Sequence, residues 1–476
     1  MHVDLLVGFL ILDINKYISE GVEIMDTKYI VPEIAKVWSE QGRFEMMLLV
    51  EVANCEAWHA RGVIPEEDIR IIREAADINW RVYRNRLRKS RHDVSSFVAA
   101  VAYEVDKRAR QRGLKRHPGR WIHYKLTSYD PWDTVLAMQI RTSIGILLDQ
   151  IDRLLFTLQR RGTEHWNTVM IGRTHGMHAE PTTLGAKLAN YWFVLSEHRK
   201  NLVTHSEFWQ LAKISGPVGT HENVPEEVEE FIARLLGVRP IPIATQTIHR
   251  EWVLRYLHQL SEVAATIEKI GTDIRLLQMP EISEVEEYFP EEAEGSSIMV
   301  HKRNPEVCER CCSLAREVSE TVSTARANVP NWHERDLTTS ANERSTLFRA
   351  SNLAVYITAQ MAVVIERLRV FPNRMRANLD LTAGIVQSGK VLNLLVEKGT
   401  NRTKARRVIA AHTNAAWQTY QGGDPMPSLR EIILADLTIR RCLSREGIGA
   451  CFDPTYEQLL EGVKVSFRRL GWNVPK

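Results

Sequence analysis

Three segments carry residue types able to move a proton or hold an anion. The first, Gly295-Ser296-Ser297-Ile298-Met299-Val300-His301-Lys302-Arg303-Asn304-Pro305, sets a Gly-Ser-Ser turn beside cations and an amide, just ahead of a long helical stretch. A loop at a helix N-terminus offers unbonded N–H groups and a partial positive charge, which suit a carboxylate or a phosphate. Lys302 adds a full charge, and a serine in such a field loses its proton more easily than one in water. A Ser-capped helix start fits the same spacing equally well. The second segment, Gly172-Arg173-Thr174-His175-Gly176-Met177-His178-Ala179-Glu180-Pro181-Thr182-Thr183, lies on a helix–helix connection. His175 is placed there to exchange protons near neutral pH. His178, three residues on, suggests a metal pair, but no carboxylate stands at ligand spacing. Proton transfer or a hydrogen-bonded core histidine is therefore preferred. The third runs from Trp332-His333-Glu334-Arg335-Asp336 to Ser340-Ala341-Asn342-Glu343-Arg344, with two guanidinium forks that match phosphate oxygens. Its plainer counterpart is a solvated ion-pair cluster. Arg91-His92-Asp93 and Leu126-Thr127-Ser128-Tyr129-Asp130 are weaker clusters, explained as readily by a local salt bridge or a helix cap.

Long helices must hold these segments. Five stretches are nearly free of helix breakers: 134–161, 182–212, 244–279, 306–328 and 341–371. In the third, Val253, Leu257, Leu260, Ala264, Ile267, Ile270, Ile274 and Leu277 recur every three or four residues, the period of one buried helix face. Pro280 and Pro372 are expected to stop the third and fifth, since proline lacks a backbone N–H. Helices of roughly 35–55 Å at 1.5 Å per residue predict an all-α chain of three helical domains with a long central bundle. The expected divisions are an N-terminal extension over 1–24, an N-terminal helical domain over 25–128, a bundle over 129–380 that associates with its own copies, and a C-terminal helical domain over 381–476. No strand-rich region stands out.

Composition narrows the function classes. The 476 residues include 62 Lys+Arg and 59 Asp+Glu, with 44% apolar and 25% charged residues, which excludes a disordered chain. The longest apolar run, Leu5–Leu12, is far short of the ~20 residues that span a bilayer. Without a preceding cation it is a poor signal peptide, and Met25 is a plausible alternative start. Cys308, Cys311 and Cys312 share one helical stretch with no second ligand pair, so they read as reduced thiols of a cytoplasmic protein. Two basic stretches, 81–91 and 107–120, raise a nucleic-acid stripe. Near-neutral net charge favours a solvated helix face or a funnel for a small anion instead.

Taken together and in this order, these segments resemble the adenylosuccinate lyase family of the fumarase/aspartase superfamily. Residues 295–305 match the superfamily signature Gly-Ser-Ser-x-Met-Pro-x-Lys-x-Asn-Pro with one substitution. Arg91-His92-Asp93-Val94, the 172–183 segment, Lys213-Ile214-Ser215-Gly216, Val218-Gly219-Thr220 and Trp332–Asp336 carry the narrower likeness. The resemblance implies an all-α, three-domain, fumarase/aspartase-like fold, a homotetramer with sites shared between subunits, and a C–N lyase. That lyase eliminates fumarate from adenylosuccinate and from SAICAR with no metal or organic cofactor. It implies Ser296 as the general base, His175 as the acid, and His92 as an orienting partner. Arg91, Asp93, Thr127, Ser128, Gln246, Ser297, Lys302 and Asn304 would contact the substrate. Lys28, Tyr29, Arg310, Arg335, Ser340 and Arg344 would hold the nucleotide and its phosphate. Partners beyond that substrate and the tetramer, whether nucleic acid or membrane, are not expected. Three positions depart from the pattern: Val300 replaces Pro, Lys28 replaces Arg, and Tyr129 replaces a small Ser. They keep open a related lyase acting on another N-succinyl compound, as argininosuccinate lyase does.

Overall fold

The computed structural model describes residues 27–290, 299 and 301–473. The extension 1–24, Met25, and Ser296, Ser297 and Val300 of the Gly-Ser-Ser loop lie outside the described residues. The elements that carry site residues are, in chain order, α1 (Trp80–Ser90), α2 (Asp93–Gln111), α3 (Tyr129–Glu164), β1 (Val169–Thr174), β2 (Met177–Thr183), α4 (Leu184–Thr204), α5 (Glu251–Gln278), α6 (Glu306–Ala327) and α7 (Ser340–Arg367). Helices α3 to α7 answer to the five breaker-poor stretches. All eight periodic residues of α5 are buried, from Ile267 at 0% exposure to Leu277 at 7%. Helix α7 is the one described helix long and apolar enough to cross a membrane, and 67% of its apolar stretch is buried.

Two expectations change. Helix α4 begins at Leu184, not Thr182, because Thr182 and Thr183 belong to β2, and the Thr183 hydroxyl caps the helix by accepting from the Ala186 N–H at 3.0 Å. Pro372 does not stop α7, which ends at Arg367; it opens the helix Pro372–Asp380. Its fixed φ and missing N–H are harmless at a first helical position.

The described chain forms two compact units. The first gathers the residues up to Ile146 with Phe208–Val253 and Ser323–Tyr356. Its core sets Phe44 against Phe97 in a stack at 5.1 Å and against Tyr83 edge-on at 5.1 Å, with Met47, Val101 and Ile232 fully buried around them. The 107–120 basic stretch is an ion-paired face here. Lys107 meets Glu104 at 3.0 Å, Arg120 meets Asp68 at 3.1 Å, and Arg108 and Arg112 share Glu74. On α1, Arg81, Arg84, Arg86, Arg88 and Lys89 are exposed.

The second unit comprises Leu147–Glu207, Leu254–Val322 and Ile357–Lys476. One cluster here packs Val391, Leu395, Leu429, Ile433 and Ile448. Another seats Phe467 and Trp472 against Ala189 of α4, with Trp192 edge-on to Trp472 at 5.4 Å. Close helix contact explains the cysteines: a Cβ on Gly271 of α5 would lie 2.9 Å from Cys312 Sγ. Cys308, Cys311 and Cys312 are at most 2% exposed, and burial pushes the Cys311 thiol up to about 12. All three are free, buried thiols of α6.

Candidate active site

In the first unit the polar segments converge on the start of α3. Helix α1 ends at Arg91, whose φ of 51° turns the chain back into α2. His92 is the N-cap of α2, its Nδ1 accepting from the Ser95 N–H at 3.2 Å. An accepting Nδ1 leaves the neutral ring's proton on Nε2, available to a ligand. Asp93 accepts from Arg344 Nη2 at 2.7 Å across 251 residues of sequence. The helix-cap reading of Arg91-His92-Asp93 therefore holds, while the salt bridge is not local and joins Asp93 to Arg344 of α7.

The Thr127-Ser128 turn is fixed from below. Thr127 N–H donates to Asp130 Oδ2 at 2.7 Å, while Asp130 Oδ1 accepts from Lys213 Nζ at 2.6 Å and the Gly216 N–H at 3.1 Å. Asp130 and Lys213 are fully buried, so each charge depends on the other. Arg335 donates to Gln246 Oε1 at 2.8 Å, and the Gln246 amide donates to the Pro217 carbonyl at 3.1 Å. The Gln246 side chain is thus engaged in setting Arg335. Tyr129 is only 5% exposed and lies under Arg335, so its extra volume is taken up by stacking on that guanidinium. Ser340 and Arg344 share a small cavity with Trp132 and Arg43. Tyr29 and Val31 are held by one amide, since Asn352 donates to the Tyr29 carbonyl at 2.8 Å and accepts the Val31 N–H at 2.8 Å; Lys28 immediately precedes them.

In the second unit the helix–helix connection is an antiparallel β-hairpin, with Thr174 paired to Met177. His175 and Gly176 form its two-residue turn at φ 54° and 75°, the handedness that matches the strand twist. His175 is exposed at the tip. The hairpin is anchored two residues before its turn by Arg173, whose two Nη atoms reach buried Glu284 at 2.9 and 2.8 Å; Asn378 adds a 2.8 Å bond to the same carboxylate. Burial and the Arg173 charge hold His178, on β2, below the ordinary histidine value. Among the described residues no cluster of three or more His, Cys, Asp or Glu could hold a metal.

Lys302 and Asn304 line an open cavity of about 820 Å³ with Met299, Arg303 and Glu309; His175 does not line it. Arg310 lies on α6, its buried Nε without a hydrogen-bond partner among the described residues. One expectation is corrected here. The first N–H groups of α6 do not wait for an anion: Glu287 accepts from the Val307 and Cys308 N–H groups at 2.9 Å each. A carboxylate is already in place at this helix start.

His123, Glu287, Glu284 and Asn352 were passed over in the sequence. Only His123 left a signal there, by its closeness to Thr127-Ser128. It is held at φ 64°, with its ring Nδ1 2.7 Å from Glu51 Oε1 and its N–H 2.8 Å from Oε2. Burial opposes its charge, but Glu51 and Asp130 outweigh burial and raise its pKa above the ordinary histidine value. The stability this contributes is complete below the unfolded value of about 6.5 and is lost as pH rises through the higher folded value. Thermal melts of wild type and His123→Asn should therefore differ most near pH 6 and converge toward pH 9; a constant gap would refute the charge assignment.

Comparison with known proteins fits this geometry. The "Lyase" family model matches residues 25–319, and "Adenylosuccinate lyase C-terminus" matches residues 384–460. Over 447 residues, 94% of this chain and 100% of the relative, the sequence is 37% identical to adenylosuccinate lyase of Bacillus subtilis (strain 168). The chain belongs to the adenylosuccinate lyase family. Solved structures agree on an all-α fumarase/aspartase fold. Fumarate lyase from Mesorhizobium sp. BNC1 superposes with a TM-score of 0.81 at 23% identity, covering 94% of this chain and 99% of that one. The 3-carboxy-cis,cis-muconate lactonizing enzyme from Pseudomonas putida gives 0.80 at 26%, covering 94% and 98%. The matched C-terminal segment over 384–460 carries its own buried cluster.

Proposed function

We propose that this protein is an adenylosuccinate lyase, eliminating fumarate from adenylosuccinate to give AMP and from SAICAR to give AICAR, in purine nucleotide biosynthesis in the cytoplasm. The observation that carries the reading is the convergence in the first unit: Asp93, Thr127, Gln246, Arg335 and Arg344, scattered over 250 residues, are tied together around the first turns of α3. Arg335 and Arg344, with Ser340, take the phosphate; Lys28 and Tyr29 lie against the nucleoside. Arg91, Asp93, Thr127, Ser128 and Gln246 orient the rest of the substrate, and His92 offers its Nε2 proton. Arg310 is a further phosphate or carboxylate contact.

The chemistry follows from charge flow. Ser296 takes the proton from the carbon β to the nitrogen, and the electron pair spreads into the adjacent carboxylate. Lys302, Asn304 and Ser297 stabilise that charge as it grows. The C–N bond then breaks, His175 protonates the leaving nitrogen, and fumarate departs. No metal or organic cofactor enters this scheme. The exposed hairpin tip of His175, absent from the cavity that Lys302 and Asn304 line, supports a homotetramer whose sites draw on more than one copy.

Purified protein should release fumarate from adenylosuccinate and SAICAR, and not from argininosuccinate, malate or aspartate. Turnover of one of the latter three in place of adenylosuccinate would overturn the proposal.

A further inference from the structure

The first two turns of α3 present two aromatic rings three residues apart, hence on one face. Tyr129 and Trp132 have centroids 6.3 Å apart and planes tilted by 34°. Three guanidinium groups lie over them. The Arg335 Cζ is 3.8 Å from the Tyr129 centroid; Arg344 and Arg43 are 4.8 and 5.1 Å from that of Trp132. Arg43 is half-buried, and burial together with the Arg344 charge lowers its pKa. Three cations thus crowd two rings, while Asp93 makes the ion pair to Arg344. A guanidinium carries five N–H donors, so beyond the bonds of Arg335 to Gln246 and of Arg344 to Asp93 each group over a ring keeps donors for an anion.

We propose that Tyr129 and Trp132 are positioning residues that hold Arg335 and Arg344 as a preformed clamp for a phosphate dianion, with Arg43 as a third cation of that clamp. The inference rests on the proposed nucleotide substrate, whose phosphate supplies the dianion. Tyr129 is then the means by which this chain sets its anion site. The same ring takes the volume that a small serine would have left open.

The test compares Tyr129→Leu, Trp132→Leu and Arg43→Gln with the ring-keeping Tyr129→Phe and Trp132→Phe. The readouts are kcat and KM for adenylosuccinate, and dissociation constants for AMP, adenosine and inorganic phosphate. The leucine variants and Arg43→Gln should raise KM and the AMP constant about tenfold, with kcat within about twofold and adenosine affinity unchanged. The phenylalanine variants should restore the affinity that the leucine variants lose. Unchanged AMP affinity in Tyr129→Leu and Arg43→Gln would overturn the clamp, as would equal losses for AMP and adenosine, which mark general disruption. Should Trp132→Leu fail to fold, the half-exposed Arg43→Gln still decides. Should wild type turn over no nucleotide, the functional reading fails, and inorganic phosphate binding by wild type against Tyr129→Leu separately settles the clamp.

Discussion

His175→Ala should lower kcat for fumarate release by about 10²–10⁴-fold, the usual contribution of a positioned proton donor. The melting temperature should hardly move. His175 sits at an exposed hairpin tip, and the hairpin is secured through the side chain of Arg173 on Glu284 and Asn378 rather than through the His175 ring. Removing the ring therefore deletes chemistry with little packing. His175→Asn is the cleaner control, because asparagine accepts the φ of 54° more readily than alanine. Ser296→Ala should fall by a similar factor through loss of the base. If sites are shared between subunits, mixing the two inactive variants after gentle dissociation should recover part of the activity, since some sites then receive an intact Ser296 from one chain and an intact His175 from another. Near-wild-type turnover by both variants would remove the two roles; mixtures that stay dead would remove the sharing.

Arg250→Met should cost the fold about 3–5 kcal/mol, the penalty for stripping one partner from a buried ion network. Arg250 is 2% exposed. It donates to Asp133 at 3.0 and 3.1 Å and to the Ile248 carbonyl at 2.8 Å, and its Nε lies 2.8 Å from Glu343 Oε1. Methionine would leave two carboxylates, at 0% and 6% exposure, with no cation between them. Burial already raises the Glu343 pKa even though Arg250 opposes the shift. A carboxyl with a raised folded pKa binds its proton more tightly in the native state, so stability falls as pH rises through that window. Loss of Arg250 enlarges the effect. Thermal melts should show the variant furthest below wild type at pH 8 and closer to it at pH 5.5. A deficit under about 1 kcal/mol that is flat with pH would mean the network is dispensable.

How far the sequence discloses this molecule depends on the distance over which its residues act. The α5 periodicity and the breaker-poor stretches are local properties, and they appear as buried faces and long helices within a turn or two of where they were expected. The β-hairpin escaped because its identity rests on a two-residue turn, His175-Gly176, in which only the glycine hints at positive φ. The corrected reading of α6 has the same origin in reverse. The N-terminal N–H groups look vacant from residues 295–310, and it is Glu287, twenty residues upstream, that fills them. Asp93 with Arg344 and Arg250 with Asp133 are separated by 251 and 117 residues, and no local pattern encodes such pairs. The residues proposed for the site stand out in the sequence because motif spacing marks them, whereas the groups that hold their segments in place, such as Asn352 behind Tyr29, left no mark.

The six cysteines have a practical side. Five are buried, and Cys442 alone is exposed, at the edge of a cavity beside Lys398 and Lys404. Folded protein should thus accept a single maleimide dye per chain without any engineered thiol. Stepwise photobleaching of singly labelled particles then counts the subunits of the assembly directly.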